Sequence, residues 1–314
     1  MNKKVVVIGG GTGLSFLLRG LKQFPVDITA IVSVCDDGRS TGRLRTEFNV
    51  PAVGDIRQVL VSLSETEPLV EKLINYRFET TSDLNGHKVG NLLLTAAANM
   101  TGNLSTGIKA LSKVLNLRGN VVPVTEDNVT LIAEMEDGSI ISGEHNITED
   151  TRKIKRVFYE NDPNVSKDAI KAIKEADLII LSMGSIFTSI IPNLICTEII
   201  KAIDNSHADV MYTCNIVTQP GETDEFKASD HIKLLNSYLG KKKISVGIFN
   251  NHEMDPILTK KYATEEQKDP VILDKENLLD ITVIDDNLVT VLDNVFRHDT
   301  MKLAFLIFSY LLKK

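Results

Sequence analysis

A β-branched run, Val5-Val6-Val7-Ile8, ends in Gly9-Gly10-Gly11-Thr12-Gly13 and passes directly into Leu14-Ser15-Phe16-Leu17-Leu18. The unbroken apolar run reads as a buried strand and the spacing after it as a helix, so the glycines occupy a strand-to-helix turn. Four glycines in five positions keep Cβ atoms out of the loop. Backbone N–H groups can then converge on an anion at the positive end of the helix. The spacing is neither G-x-G-x-x-G, whose last glycine would fall on Leu14, nor a P-loop, because no Gly-Lys-Ser/Thr follows. Two readings stand: a phosphate-binding turn, or a tight turn where helix packs on sheet.

The rest of the chain repeats this grammar. Ile28 to Val34 reads as a second strand delivering Asp36-Asp37-Gly38 to its carboxyl end, the edge where doubly wound sheets hold ligands. Asp36 lies 23 residues beyond Gly13. That is the place of a ribose-binding acid; two adjacent carboxylates also suit magnesium, and an Asp-Asp-Gly turn closing a strand is the plain alternative. Arg39 to Arg45 reads as a polar, basic loop in which Ser40, Thr41 and Arg43 suit phosphate oxygens. Gly54-Asp55-Ile56-Arg57 reads as a helix entry capped by Asp55, and a cation at position 57 opposes the helix dipole unless it meets an anion. Gly86-His87-Lys88-Val89-Gly90-Asn91 is a third glycine-marked entry. There His87 is an acid, a base, a phosphate donor or simply a polar helix-entry residue.

From about residue 118 to 160 the pattern changes to short strands, Val121 to Val124, Val129 to Met135, Ser139 to Gly143 and Lys155 to Tyr159, with Asp137-Gly138 as a hairpin turn. This predicts a β-rich subdomain inside one domain spanning 1–314, since no linker borders it. Parallel grammar then returns with a helix from Ser166, a strand from Asp177 to Met183, and the loop Gly184-Ser185-Ile186-Phe187-Thr188-Ser189, either an anion site or a set of helix caps. Val210 to Cys214 feeds the polar loop Asn215 to Thr223, whose Asn215 and Gln219 suit sugar or base edges. Ile244 to Phe249 is a further strand, short strands are expected near Val271 and Ile281, and Tyr262 to Asp269 reads as mobile. Asp299 caps a final helix, Met301 to Leu312, with Arg297 and His298 at its edge. The fold class is therefore α/β: a Rossmann-like, mostly parallel, doubly wound sheet with helices on both faces and a small antiparallel excursion.

A net charge of −7 disfavours nucleic acid as a partner, although local arginines decide the binding of a small anion because distant charge is screened within about 8 Å. Cys35, Cys196 and Cys214 are too scattered for a disulfide framework or a zinc site and read as buried thiols. Leu303 to Leu312 is too short for a membrane span, so a cytoplasmic protein is expected. One phosphate loop is insufficient for specific binding. Charge-assisted hydrogen bonds contribute about 1.5 to 3 kcal/mol each, against an association cost on the order of 4 to 15 kcal/mol. The clusters near 10, 40, 55, 90, 185 and 215 are expected to converge on one crevice.

Gly-Gly-Gly-Thr-Gly at 9–13, Asp-Asp-Gly-Arg-Ser-Thr-Gly-Arg-Leu-Arg at 36–45, Gly-Asp-Ile-Arg at 54–57, the 86–94 stretch, the 184–193 stretch and Cys-Asn-Ile-Val-Thr-Gln-Pro-Gly-Glu-Thr at 214–223 together resemble the bacterial gluconeogenesis factor family. That family is related to 2-phospho-L-lactate transferase, the enzyme of deazaflavin cofactor F420 synthesis. Met183 departs from the proline expected before Gly184-Ser185. The resemblance implies a nucleotide or nucleotide-sugar ligand, UDP-N-acetylglucosamine first, and a cytoplasmic role in cell shape and wall synthesis during gluconeogenic growth. It implies that Gly10, Gly11, Thr12, Gly13 and Asn91 hold the diphosphate, Asp36 and Asp37 the ribose or a metal, and Arg297 with Tyr262 the sugar. On this reading binding requires no cofactor. The alternative is a magnesium-dependent 2-phospho-L-lactate transferase-like enzyme using Asp36, Asp37, Arg43, Arg57 and His87 on a deazaflavin or similar alcohol. An NAD-dependent oxidoreductase follows from fold alone, and no hydride-site constellation supports it. Oligomeric state, a homo-oligomer included, and protein partners stay open.

Overall fold

A computed structural model describes residues 2–314. In chain order the strands are β1 (Lys3–Gly9), β2 (Val26–Val32), β3 (Asn120–Pro123), β4 (Leu131–Met135), β5 (Ile140–Ser142), β6 (Ile154–Tyr159), β7 (Leu178–Leu181), β8 (Asp209–Thr213), β9 (Val246–Asn250), β10 (Thr282–Asp286), β11 (Val289–Leu292) and β12 (Val295–His298). Seven form one sheet in the order β10-β9-β8-β7-β1-β2-β3. Every neighbouring pair in it is parallel. Val5, Val6, Val7 and Ile8 are all buried, as are Leu178 to Leu181. Successive side chains point to opposite faces, so burial of every one of them requires helices on both. Gly11–Leu21 packs against Gly54–Leu63 and Thr300–Leu312, and Lys167–Glu175 against Thr197–Asp204. The doubly wound α/β architecture expected from the sequence is present.

The antiparallel excursion is β5-β4-β6, with Gly138 at φ +83 in the turn between β4 and β5. Its first expected strand belongs elsewhere. Residues 120–123 form β3 and extend the main sheet beside β2, in register from Thr29↔Asn120 to Val32↔Pro123. A short apolar run fits either setting, and the long helical crossover from 39 to 114 supplies the connection that a parallel partner needs. Pro123 is tolerated because β3 is an edge strand.

Three further expectations are corrected. Residues 39–48 form a helix, not a basic loop. Its apolar face is so narrow that Leu44, with the aliphatic stem of Arg45, is most of it. No strand forms at Val271; its N–H donates to the Ile216 carbonyl, beside an isolated bridge between Val217 and Pro270. Tyr262 to Asp269 begins as the continuation of a helix, Pro256–Lys261, into a π-helical turn at Tyr262–Glu266, with Asp255 as cap. The final helix starts at Thr300 under the expected Asp299 cap, which accepts the Lys302 N–H at 3.0 Å. All three cysteines are buried and unpaired. Among the described residues no single helix is long and apolar enough to cross a membrane.

Candidate functional site

Strand order reverses between β1 and β7, so the loops leaving their carboxyl ends diverge and open a crevice, the place where doubly wound sheets take ligands. On one side the glycine turn enters the Gly11–Leu21 helix, with Gly11 at φ +61. On the other stands the loop after β7. The two are in contact: a Cβ on Gly13 would lie 2.1 Å from the Met183 carbonyl oxygen, and one on Gly10 would lie 3.5 Å from Ser189 Cβ. Glycine at position 13 is thus required by packing. At Gly11 it is also favoured by the backbone conformation.

The floor of the crevice is acidic. Asp55 does not cap its helix, as expected from the sequence; the helix Gly54–Leu63 follows Val53, and no side chain caps it. Instead the Asp55 carboxylate lies against the glycine turn: a Cβ on Gly10 would meet its Oδ2 at 2.6 Å and one on Gly11 its Oδ1 at 3.8 Å. Asp36 abuts Gly54, where a Cβ would meet its Oδ2 at 2.4 Å and the Thr41 hydroxyl at 2.7 Å. Glu144 joins them from the antiparallel excursion, with Thr148 donating to its Oε1 at 3.0 Å. Burial first, then repulsion by Asp36, pushes both Asp55 and Glu144 up to about 7. The sequence carried no signal for Glu144, which arrives from more than a hundred residues away by tertiary packing.

A hydrogen-bonded chain borders this floor. Ser40 Oγ is 3.0 Å from His87 Nδ1, Asn91 Nδ2 donates to Ser40 Oγ at 3.3 Å, and Arg57 Nε donates to Asn91 Oδ1 at 3.1 Å. Arg57 Nη1 also donates to Asn75 Oδ1. Gly90 admits the arginine stem, for a Cβ there would meet Arg57 Cγ and Cδ at 2.8 Å. Burial, followed by the nearby Arg43 charge, lowers the His87 pKa. A neutral imidazole in this position can accept or donate one proton.

The family sequence model described as 2-phospho-L-lactate transferase CofD matches residues 5–289. The chain belongs to the CofD family. It is 47% identical over 313 residues to the "Gluconeogenesis factor" of Bacillus subtilis, with 98% of each chain covered. It is 46% identical to the protein of the same name from Halalkalibacterium halodurans, covering 96% of this chain and 94% of that one. The crystal structure of protein BH3568 from Bacillus halodurans superposes with a TM-score of 0.94 at 45% identity, over 98% of this chain and all of that one.

Within this CofD-family chain the residues singled out from sequence divide into three groups. Gly10, Gly11, Asp36, Thr41, Gly54, Asp55 and Ser189 meet at the crevice, and Ser40, Arg57, His87, Gly90 and Asn91 form its hydrogen-bonded border. A second group holds the loops in shape. Asn215 clasps Gly184 through two 2.8 Å bonds, N–H to Oδ1 and Nδ2 to carbonyl. Ser185 accepts the Thr188 N–H at 3.0 Å and donates to the partly buried Glu222 carboxylate at 2.6 Å, a carboxylate not foreseen as part of the site. Gln219 anchors a turn through its backbone carbonyl, and Thr12 reaches Gln58 at 3.4 Å.

The third group is turned elsewhere. Asp37 Oδ1 accepts the His145 N–H at 2.8 Å and packs on Gly143, so it is not the twin of Asp36. Arg43 is exposed and grips the carbonyls of Asn85 and Asp83. Tyr262 is only 6% exposed, packs with Ile216 and Phe296 in a small separate core, and accepts the Phe296 N–H at 3.1 Å. Arg297 lies 5.4 Å over the Phe16 ring of the first helix.

The acidic floor also answers which residues suit a metal. Among the described residues no three His, Cys, Asp or Glu side chains form a complete cage. Asp36 and Asp55, which repel each other across the floor, could offer oxygens to a magnesium ion whose shell substrate phosphates and water would complete. The adjacent pair Asp36 and Asp37 is not placed to do so.

Proposed function

We propose that the protein binds a nucleoside diphosphate sugar, UDP-N-acetylglucosamine being the candidate, in the crevice between β1 and β7. In this reading it is a cytoplasmic gluconeogenesis factor whose bound ligand governs cell shape and wall synthesis during gluconeogenic growth. The observation that carries the ligand class is the meeting of the glycine turn, the Asp36–Asp55 floor and the Ser185–Ser189 loop at one strand edge. A diphosphate has a helix N-terminus to face, and the ribose has carboxylate acceptors. The name borne by the relatives supports the gluconeogenic part of this reading. A thermal-shift panel of UDP-N-acetylglucosamine, other UDP-sugars, NAD, GDP and GTP tests it. At one hundred times its dissociation constant the right ligand stabilises by about 2.7 kcal/mol. Silence from UDP-N-acetylglucosamine removes that ligand.

A second reading, a 2-phospho-L-lactate transferase-like enzyme, is favoured by the Asp36–Asp55 pair. Bound there, magnesium would neutralise phosphate charge on a nucleotide-activated phospholactate. Arg57, held by Asn75 and Asn91, would face the same charge. His87, bonded to Ser40, is the group able to hold the proton of an incoming alcohol. Arg43 and Asp37 are removed from this scheme by their other partners. Incubation with magnesium, the activated phospholactate and a deazaflavin alcohol decides between the readings: product above background defeats a binding-only protein.

A further inference from the structure

Arg39, Arg57, Arg77 and Lys88 stand beside the crevice, and none has a carboxylate within 4.0 Å among the described residues. Arg57 is 3% exposed, and its side-chain partners are the neutral amide oxygens of Asn91 and Asn75. A guanidinium so buried is costly without an anion. Arg77 and Lys88 face each other across an antiparallel bridge. That register sets the two side chains on one face with Cβ atoms about 5 Å apart, where like charges destabilise. Arg77 Nη1 donates to the Gly86 carbonyl at 2.6 Å, whereas the half-buried Lys88 ammonium has no hydrogen-bond partner among the described residues. Burial and then the charges of Arg57 and Arg77 lower the Lys88 pKa to about 8; Asp36 opposes them and Arg39 adds to them.

We infer that Lys88, Arg77 and Arg57 form a phosphate subsite on the His87–Asn91 side of the crevice, gripping a phosphate group of the ligand through side chains. The inference deepens the nucleoside diphosphate reading and rests on it for the ligand's identity. At the glycine turn the Asp55 carboxylate lies against Gly10 and Gly11, so a phosphate facing the turn needs cations alongside to offset that charge. At Lys88 it meets cations with no carboxylate beside them, and it offsets the repulsion between Arg77 and Lys88 across the bridge. Arg77 did not stand out in the sequence, and Lys88 lay within the Gly86-His87-Lys88-Val89-Gly90-Asn91 helix entry with no role of its own assigned.

Calorimetric titration of inorganic pyrophosphate, UDP and UDP-N-acetylglucosamine into the wild type, Lys88→Gln, Lys88→Arg and Arg77→Gln tests this, with melting curves of the free proteins alongside. Pyrophosphate and UDP are expected to bind the wild type and to bind Lys88→Gln and Arg77→Gln at least about tenfold more weakly. Lys88→Arg, which keeps the charge, restores binding. The free Lys88→Gln protein melts no lower than the wild type, because one of two facing like charges is gone. A merely structural lysine would lower the melting temperature and leave pyrophosphate affinity unchanged. Equal affinity of wild type and Lys88→Gln for pyrophosphate and UDP, or binding of neither, overturns the subsite. Pyrophosphate held through Lys88 while UDP-N-acetylglucosamine is silent sustains the subsite and defeats the nucleotide-sugar reading. UDP-N-acetylglucosamine bound equally well by both proteins does the reverse.

Discussion

Asp55 shows how one side chain links the site to stability. Its folded pKa, about 7, lies far above the usual carboxylate value because burial and Asp36 disfavour its charge. The folded state therefore binds a proton that the unfolded state releases near pH 4, and stability present at acid pH is lost as pH rises toward 7. Glu144 acts in the same sense. Asp55→Asn is expected to stabilise the free protein at pH 8 by about 1–2 kcal/mol and to flatten the decline between pH 4 and 7, read by urea unfolding. Magnesium at pH 8 should raise the wild-type melting temperature by relieving the same repulsion, and Asp36→Asn should abolish that response. Asp55 was legible in the sequence as a site residue but not in its role. A Gly-Asp helix entry looks like a cap, and only the approach of Gly10 and Gly11 turns the carboxylate to the crevice.

Among elements, the contact of the glycine turn with the loop after β7 decides whether the crevice keeps its shape. Gly13→Ala drives a methyl group into the Met183 carbonyl, backbone against backbone, and is expected to destabilise by about 3 kcal/mol and to abolish the nucleotide thermal shift. Gly102→Ala is the contrasting case. Gly102 has φ +87 but no neighbour within 4 Å of an added Cβ, so only backbone strain of about 1 kcal/mol is added and ligand response is retained. Chemical denaturation of both variants with and without UDP-N-acetylglucosamine checks the ordering. Strands with strong apolar runs, β1, β7 and β8, were legible because a buried parallel strand has no other sequence form. The helix Arg39–Phe48 and the placement of β3 were not. The first has a face too polar for periodicity to show, and the second depends on which sheet edge is vacant.

At the scale of the molecule, a chain of net charge −7 sets Arg57, Arg77 and Lys88 beside one crevice and an acidic floor within it. Opposite charges kept apart in a partly buried space suit a ligand that carries phosphates at one point and hydroxyls at another. Of the clusters near 10, 40, 55, 90, 185 and 215 expected at one crevice, the first five meet at it or border it, since strand carboxyl ends share one edge of a parallel sheet, whereas Asn215 is spent on clasping Gly184. The contributions of Glu144 and Arg77 come from tertiary placement and had no local pattern to announce them, whereas Lys88 lies inside a glycine-marked helix entry that points to the site without giving the lysine's part in it.

A crystal structure grown with UDP-N-acetylglucosamine tests the central claim most directly. The account predicts the diphosphate at the carboxyl ends of β1 and β7, between the glycine turn and the Lys88 ammonium, with the ribose toward Asp36. A nucleotide bound instead in the groove of about 1150 Å³ lined by Lys4, Lys22 and Lys113, with the crevice between β1 and β7 left empty, would contradict it.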